Sequence, residues 1–183
     1  MAVHGYTGTW GTGKTFTAVL DAGKAARKYH CPVVSNLEIH YPPAWHVTVI
    51  TVDSIEELMS QTDCVLLIDE IGIMMPSRFY GKLLAQTAMR WAQMRKYRVY
   101  EVFYTVQAMA RVDAMVRELT WDVHEMRSFR LLGFFFALQY QGSATSKLNE
   151  KIGVRFIWIN KEVYGWYDTM AVIQNKNLFD EKK

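Results

Sequence analysis

Cysteine is scarce: the chain has two, Cys31 and Cys64, in 183 residues. Each lies beside or inside an apolar run and neither has the paired spacing of a zinc site. They therefore read as buried free thiols of a reducing compartment rather than as a disulfide framework. Long apolar runs are missing too. The longest, residues 131–138, is far below the roughly 20 residues needed to cross a bilayer as a helix. No basic region followed by an apolar run and a small-residue cleavage site opens the chain, so no secretory signal is visible. Neither sign of charge dominates. The formal charge of +3 and pI near 8.8 are too mild to select nucleic acid over any other partner. Internal repeats and long low-complexity segments are absent.

What is present fits one domain spanning 1–183, with 120–183 as a C-terminal strand extension of the same unit. Half of the residues are hydrophobic and 21% are charged, ordinary values for a soluble globular chain that can bury a core. Residues 2–7 predict a short strand, a glycine-rich turn follows, and 14–29 carries apolar residues at Phe16, Val19, Leu20 and Ala26 with helical spacing. Strands follow at 31–35 and 47–52, separated by a stretch through Pro42 and Pro43 that cannot be helix interior. Ser54 and Glu57 make a capping box for a helix over 54–60. Residues 64–68 form a continuous apolar strand of the kind buried on both faces at the centre of a sheet. A helix over 79–97, a strand over 99–105 and a short helix over 109–119 come next. Apolar strands at 127–140 and 153–160, joined by a polar loop over 141–150, predict an antiparallel pair. The fold class is α/β, a mainly parallel sheet flanked by helices with a C-terminal antiparallel strand pair.

The first turn carries the strongest chemical signal. Gly8, Thr9, Trp10, Gly11, Thr12, Gly13, Lys14 and Thr15 satisfy G-x-x-x-x-G-K-[ST] in full, between a first strand and a first helix. Glycines let the backbone curl until its amides point at a phosphate, and the helix start adds its positive end to the same anion site. Lys14 would reach the β- and γ-phosphates of ATP and the Thr15 hydroxyl would coordinate Mg2+. Asp69 and Glu70 end the apolar strand, at the carboxyl edge where open α/β sheets hold ligands. Asp69 is the candidate metal residue and Glu70 the candidate that orients or deprotonates the attacking water; capping of the next segment is the plainer alternative. Strands lie between the turn's strand and that of Asp69 in the chain, an order that suits ATPases with a central strand inserted between the two motif strands. Gln107 follows strand 99–105 and is a candidate γ-phosphate sensor or water holder. Arg90, Arg95, Arg111 and Arg117 are candidates for the cation that neutralises the transferring phosphoryl group.

Other features are less specific. Arg78, Lys82, Arg90, Arg95, Lys96 and Arg98 follow one another with no acidic residue among them, and would make either a basic surface or a solvated helix rim. Trp10 either stacks on a base or neighbouring subunit or packs on its own loop. Trp158, Tyr164, Trp166 and Tyr167 read as packing, and His30, His40, His46 and His124 lack the mutual spacing of a metal site.

Taken together, residues 8–15, Leu66-Leu67-Ile68-Asp69-Glu70, the basic stretch ending in Arg95-Lys96, Tyr104-Thr105-Val106-Gln107, Val112-Asp113 and Arg117 resemble the zonula-occludens-toxin-like ATPases. These are the assembly ATPases of filamentous phages, in the FtsK-HerA class. The layout is also similar to the short genome-packaging ATPases of tailless, membrane-containing viruses. Motifs cover about residues 1–120, with Tyr167-Asp168-Thr169 a weaker echo. The resemblance implies a ring-forming motor, hexameric or similar, that hydrolyses Mg-ATP to move DNA or assemble virions. It implies viral membrane or capsid partners and a place in the host cytoplasm or virion, peripheral at a membrane. It puts the γ-phosphate sensor on Gln107 and an arginine finger among Arg90, Arg95, Arg111 and Arg117. Filamentous-phage assembly ATPases continue into a transmembrane helix and a distal domain, which this sequence lacks, so an excised cytoplasmic domain or the packaging branch is expected. Two other readings stay open: a nucleotide or small-molecule kinase, and a nucleotide-gated interaction protein.

Overall fold

The computed structural model describes residues 2–75, 93–129, 134–141 and 151–169. Eight strands form one sheet in the order β3-β2-β4-β5-β1-β6-β7-β8. The strands are β1 (Ala2–Thr7), β2 (Val33–Ser35), β3 (Val49–Thr51), β4 (Val65–Ile68), β5 (Glu101–Val106), β6 (Asp122–Phe129), β7 (Phe134–Gln141) and β8 (Lys151–Trp158). All pairings from β3 across to β6 are parallel, and β6-β7 and β7-β8 are antiparallel. The predicted class is thus the observed one.

Period-two side-chain alternation divides the sheet's apolar residues between two cores. Tyr6, Val65, Leu67 and Phe103 face helix α1 (Lys14–Tyr29) together with Phe16, Val19 and Ala22. Val3, Leu66, Ile68, Val102 and Tyr104 face the other way, onto α2 (Ile55–Ser60), α3 (Ile71–Met74) and α4 (Ala114–Leu119). All four residues of β4 have no solvent exposure, as a strand covered on both faces requires. A last short helix, α5 (Lys161–Tyr164), follows β8. Helix starts follow their caps: the Ser54 hydroxyl accepts from the Glu57 N–H at 3.2 Å, and Asp113 accepts from the Met115 N–H.

Three expectations change. Residues 109–119 are not one helix, because Asp113 caps a new one; Met109–Arg111 is a separate 3-10 turn. Residues 127–140 are not one strand but the end of β6 and nearly all of β7, with Phe129 opposite Phe134. β6 starts upstream at Asp122, where polar residues on one face hide the strand from a hydrophobicity pattern, and it pairs parallel to β1. The strand inserted in space between the two motif strands is β5, whereas β2 and β3 lie beyond β4.

Of the helix expected over 79–97 only the end is described, a 3-10 turn at Met94–Tyr97 that includes Arg95. Arg78, Lys82, Arg90 and residues 142–150 of the expected loop lie outside the described residues. Among the described residues no helix is long and apolar enough to cross a membrane.

Candidate functional site

The carboxyl ends of β1, β4 and β5 meet at one edge of the sheet. The turn after β1 bends through three glycines in left-handed geometry, Gly8 (φ 141°), Gly11 (φ 71°) and Gly13 (φ 87°). Side chains are excluded at two of them by crowding as well: a Cβ on Gly8 would lie 2.7 Å from the Met126 carbonyl oxygen, and one on Gly13 2.6 Å from the Phe135 ring. Strands β6 and β7 thereby press the loop into shape. Thr9, Trp10 and Gly11 are exposed, whereas Thr12 and Lys14 are buried. The Trp10 ring is 80% exposed, so it does not pack on its own loop.

Lys14 folds back so that Nζ donates to the Thr9 carbonyl at 3.0 Å, and Thr12 Oγ1 donates to the same oxygen at 2.8 Å. Burial lowers the Lys14 pKa, against the pull of the Glu70 and Asp69 carboxylates. A desolvated ammonium flanked by exposed loop backbone is a strong anion partner in low dielectric.

β4 delivers Asp69 to this loop. Thr15 Oγ1 donates to Asp69 Oδ1 at 2.8 Å and Thr105 Oγ1 donates to the same oxygen at 2.7 Å. Asn36, just past β2, clamps the Asp69 backbone from the other side: its Oδ1 accepts from the Asp69 N–H at 2.8 Å and its Nδ2 donates to the Asp69 carbonyl at 2.9 Å. Burial raises the Asp69 pKa; the Thr105 and Thr15 hydroxyls and the Lys14 charge oppose it. Two hard oxygens 2.8 Å apart match the edge of about 2.9 Å of an octahedron with metal–oxygen bonds of 2.0–2.1 Å, so Thr15 and Asp69 fit magnesium.

Glu70 takes a left-handed backbone conformation, φ 47° and ψ 57°, immediately before α3. Its N–H donates to Thr105 Oγ1 at 2.8 Å. Burial raises the Glu70 pKa and the Asp69 charge adds to the rise, while Lys14, Gln107 and Arg111 oppose it. Gln107, just past the end of β5, lies beside this carboxylate, and Arg111 Nη1 donates to Gln107 Oε1 at 3.0 Å. Arg117, on α4, is exposed.

The structure thus gathers Gly8–Thr15, Asp69, Glu70, Gln107 and Arg111 at one edge. Sequence reasoning missed Thr105 and Asn36, which fix Asp69 and Glu70 in place. Neither has a local signal in the sequence, because each acts across a strand pairing, Thr105 through β4-β5 and Asn36 through β2-β4.

Several solved structures share this fold. The genome packaging NTPase B204 from Sulfolobus turreted icosahedral virus 2, in complex with ATP-gammaS, superimposes with a TM-score of 0.55 at 10% identity, over 85% of this chain and 96% of that one. The flagellar accessory protein FlaH from Methanocaldococcus jannaschii gives a TM-score of 0.54 at 12% identity, over 86% and 90%. The N-terminal domain of zonular occludens toxin from Neisseria meningitidis gives 0.63 at 19% identity, over 91% and 98%. The family model for zonular occludens toxin (Zot) matches residues 2–174, and the chain belongs to that family. No curated protein matches the chain by sequence.

Proposed function

We propose that this chain hydrolyses Mg-ATP as one subunit of a ring-forming motor of the FtsK-HerA class that packages or translocates viral DNA or drives phage virion assembly. The observation that carries the reading is the 2.8 Å contact between Thr15 and Asp69, which joins the phosphate loop to the acidic strand end as one site. Fold kinship with a genome packaging NTPase supports the direction.

In this reading the backbone amides of Gly8, Thr9, Trp10, Gly11, Thr12 and Gly13 cradle the β-phosphate, and Lys14 spans to the γ-phosphate. Thr15 and Asp69 hold magnesium, which when bound neutralises phosphate charge. Glu70, with its raised pKa, orients the attacking water and accepts its proton. Gln107 reads the γ-phosphate. Arg111 is held by Gln107 within the same subunit, which favours a role in cis. Arg90, Arg95 and Arg117 remain the candidates for a finger from a neighbouring subunit, a contribution worth about 10³ to 10⁵ in rate. DNA is the cargo and viral membrane or capsid proteins the partners, in host cytoplasm or virion, peripheral at a membrane. The folded unit is one domain over 1–183.

Lys14→Ala abolishes nucleotide turnover, whereas Glu70→Gln keeps nucleotide binding and loses hydrolysis. Hydrolysis retained in both variants refutes the site. Turnover measured with single- and double-stranded DNA, beside solution mass with and without an ATP analogue, tests the motor. Turnover indifferent to both, with a phosphorylated small-molecule product, would make the chain a kinase instead.

A further inference from the structure

A second cluster of side chains lies on the α1 side of the sheet, one half-strand below the phosphate loop. His4 on β1 and Asp122 on β6 are register partners, and His124 lies two residues further along β6 on the same face. His4 Nδ1 is 2.6 Å from Asp122 Oδ1, and His124 Nε2 is 3.2 Å from Asp122 Oδ2. One ligand atom from each of the three residues falls within 4.8 Å of the others. The parallel β1-β6 pairing creates this proximity across 118 positions of sequence, which is why spacing alone conceals it.

We propose that His4, Asp122 and His124 form a binding site for a borderline divalent cation, zinc first, separate from the magnesium position. The ligand set is two imidazoles and one carboxylate, the donors zinc takes. In a tetrahedral site with bonds of 2.0–2.1 Å, neighbouring ligand atoms are about 3.3 Å apart. The contacts of 2.6 Å and 3.2 Å go to the two different oxygens of Asp122, and one ligand atom from each residue already lies within 4.8 Å of the others, so small side-chain rotations bring the three to that spacing.

The surroundings point the same way. A metal-binding histidine usually gives its other ring nitrogen to a fixed polar group, which sets the tautomer. His4 turns Nε2 toward Glu101 Oε2 at 3.6 Å, and Glu101 is itself held by the Tyr29 hydroxyl at 2.8 Å. His124 turns Nδ1 toward the Gln139 amide at 3.5 Å. Both imidazoles thus aim one nitrogen at Asp122 and the other at an outer partner. The side chains are largely out of water, at 17% for His4, 12% for Asp122 and 4% for His124. The cluster lines a cleft of about 350 Å³ that also takes in Asp21, Lys24 and Arg155, so a fourth coordination position is open to a water or small ligand. Gly8 lies four positions beyond His4, about 13 Å along a strand, too far for one ion to serve both sites.

The test uses the full chain, stripped of metal by chelator and titrated with Co2+ alone, then Zn2+ alone. One equivalent of Co2+ is expected, with the intense visible absorption of tetrahedral nitrogen–oxygen coordination and no thiolate charge-transfer band, and Zn2+ displaces it. His124→Asn should abolish the spectrum. Glu101→Gln leaves the ligands in place and should weaken binding by about 10- to 100-fold, which keeps the test decisive if His124→Asn does not fold. Binding should be unchanged in Asp69→Asn. No stoichiometric uptake, equal uptake in His124→Asn and the parent, a thiolate band from Cys31 or Cys64, or loss in Asp69→Asn would each overturn the proposal. Failure there leaves the ATPase reading standing, because none of these readouts involves nucleotide.

Discussion

Replacing Thr105 by valine removes one hydroxyl and almost no volume, which makes it a sensitive probe of how the acidic strand end is held. The hydroxyl donates to Asp69 Oδ1 at 2.7 Å and accepts from the Glu70 N–H at 2.8 Å, and the residue has no solvent exposure. A hydrogen bond to a charged group contributes about 1.5–3 kcal/mol, and a buried N–H left without a partner costs about 1–3 kcal/mol. Glu70 is only half-buried, so water partly replaces its lost acceptor. The expected destabilisation is then about 2–4 kcal/mol. For a chain of this size about 2–4 °C of melting temperature accompanies each kcal/mol, giving a fall of about 5–15 °C. Valine keeps the β-branched shape a strand favours, so propensity adds little. Calorimetry without nucleotide measures the structural part. Thr105→Ser, which retains the hydroxyl, should stay within about 1–2 kcal/mol of the parent. A Thr105→Val protein that melts with the parent would refute the bridging role, and one that melts low yet hydrolyses ATP at the parent rate would separate the hydroxyl from the proposed chemistry.

Gly13→Ala adds a methyl at φ 87° and 2.6 Å from the Phe135 ring. Left-handed strain of about 1–2 kcal/mol and overpacking of about 1–3 kcal/mol should both appear in denaturant unfolding, with only the second relieved by Phe135→Leu. Arg155 bonds Asp21 through two contacts of 2.5 and 2.7 Å, tying β8 to α1. Arg155→Met should cost about 1.5–3 kcal/mol, and a double-mutant cycle with Asp21→Asn should recover part of it; strict additivity would mean the pair is ornamental. Burial pushes the Cys31 thiol up to about 11 and Cys64 up to about 12, so both are protonated at neutral pH. Alkylation of the folded chain should be slow at pH 7.5 and accelerate as pH climbs toward 11, and unfolded chain should react at the ordinary thiol rate. Fast native labelling would contradict the burial.

Local signals carried much of the architecture. β1 and α1 have the bounds their patterns predict, because strand alternation and helical spacing abut an unambiguous glycine turn. β4 is legible from apolar content alone. The start of β6 is not, since Asp122, His124 and Glu125 interrupt the hydrophobic pattern; the first two are polar because they face the cleft beside α1 rather than an apolar core. The loop and the acidic pair could likewise be read as motifs. Thr105 and Asn36 became visible only when β4 took β5 and β2 as neighbours, a pairing set by tertiary packing and by no local rule. The same limit hid His4, whose partners come from the far half of the chain.

The backbone twist at residue 70 sets two demands against each other. Left-handed geometry there suits glycine and costs an L side chain about 1–2 kcal/mol, so Glu70→Gly should yield a more heat-resistant protein. If that sturdier variant is inert toward ATP, the chain tolerates conformational tension at one residue in order to hold a carboxylate where glycine would rest more easily.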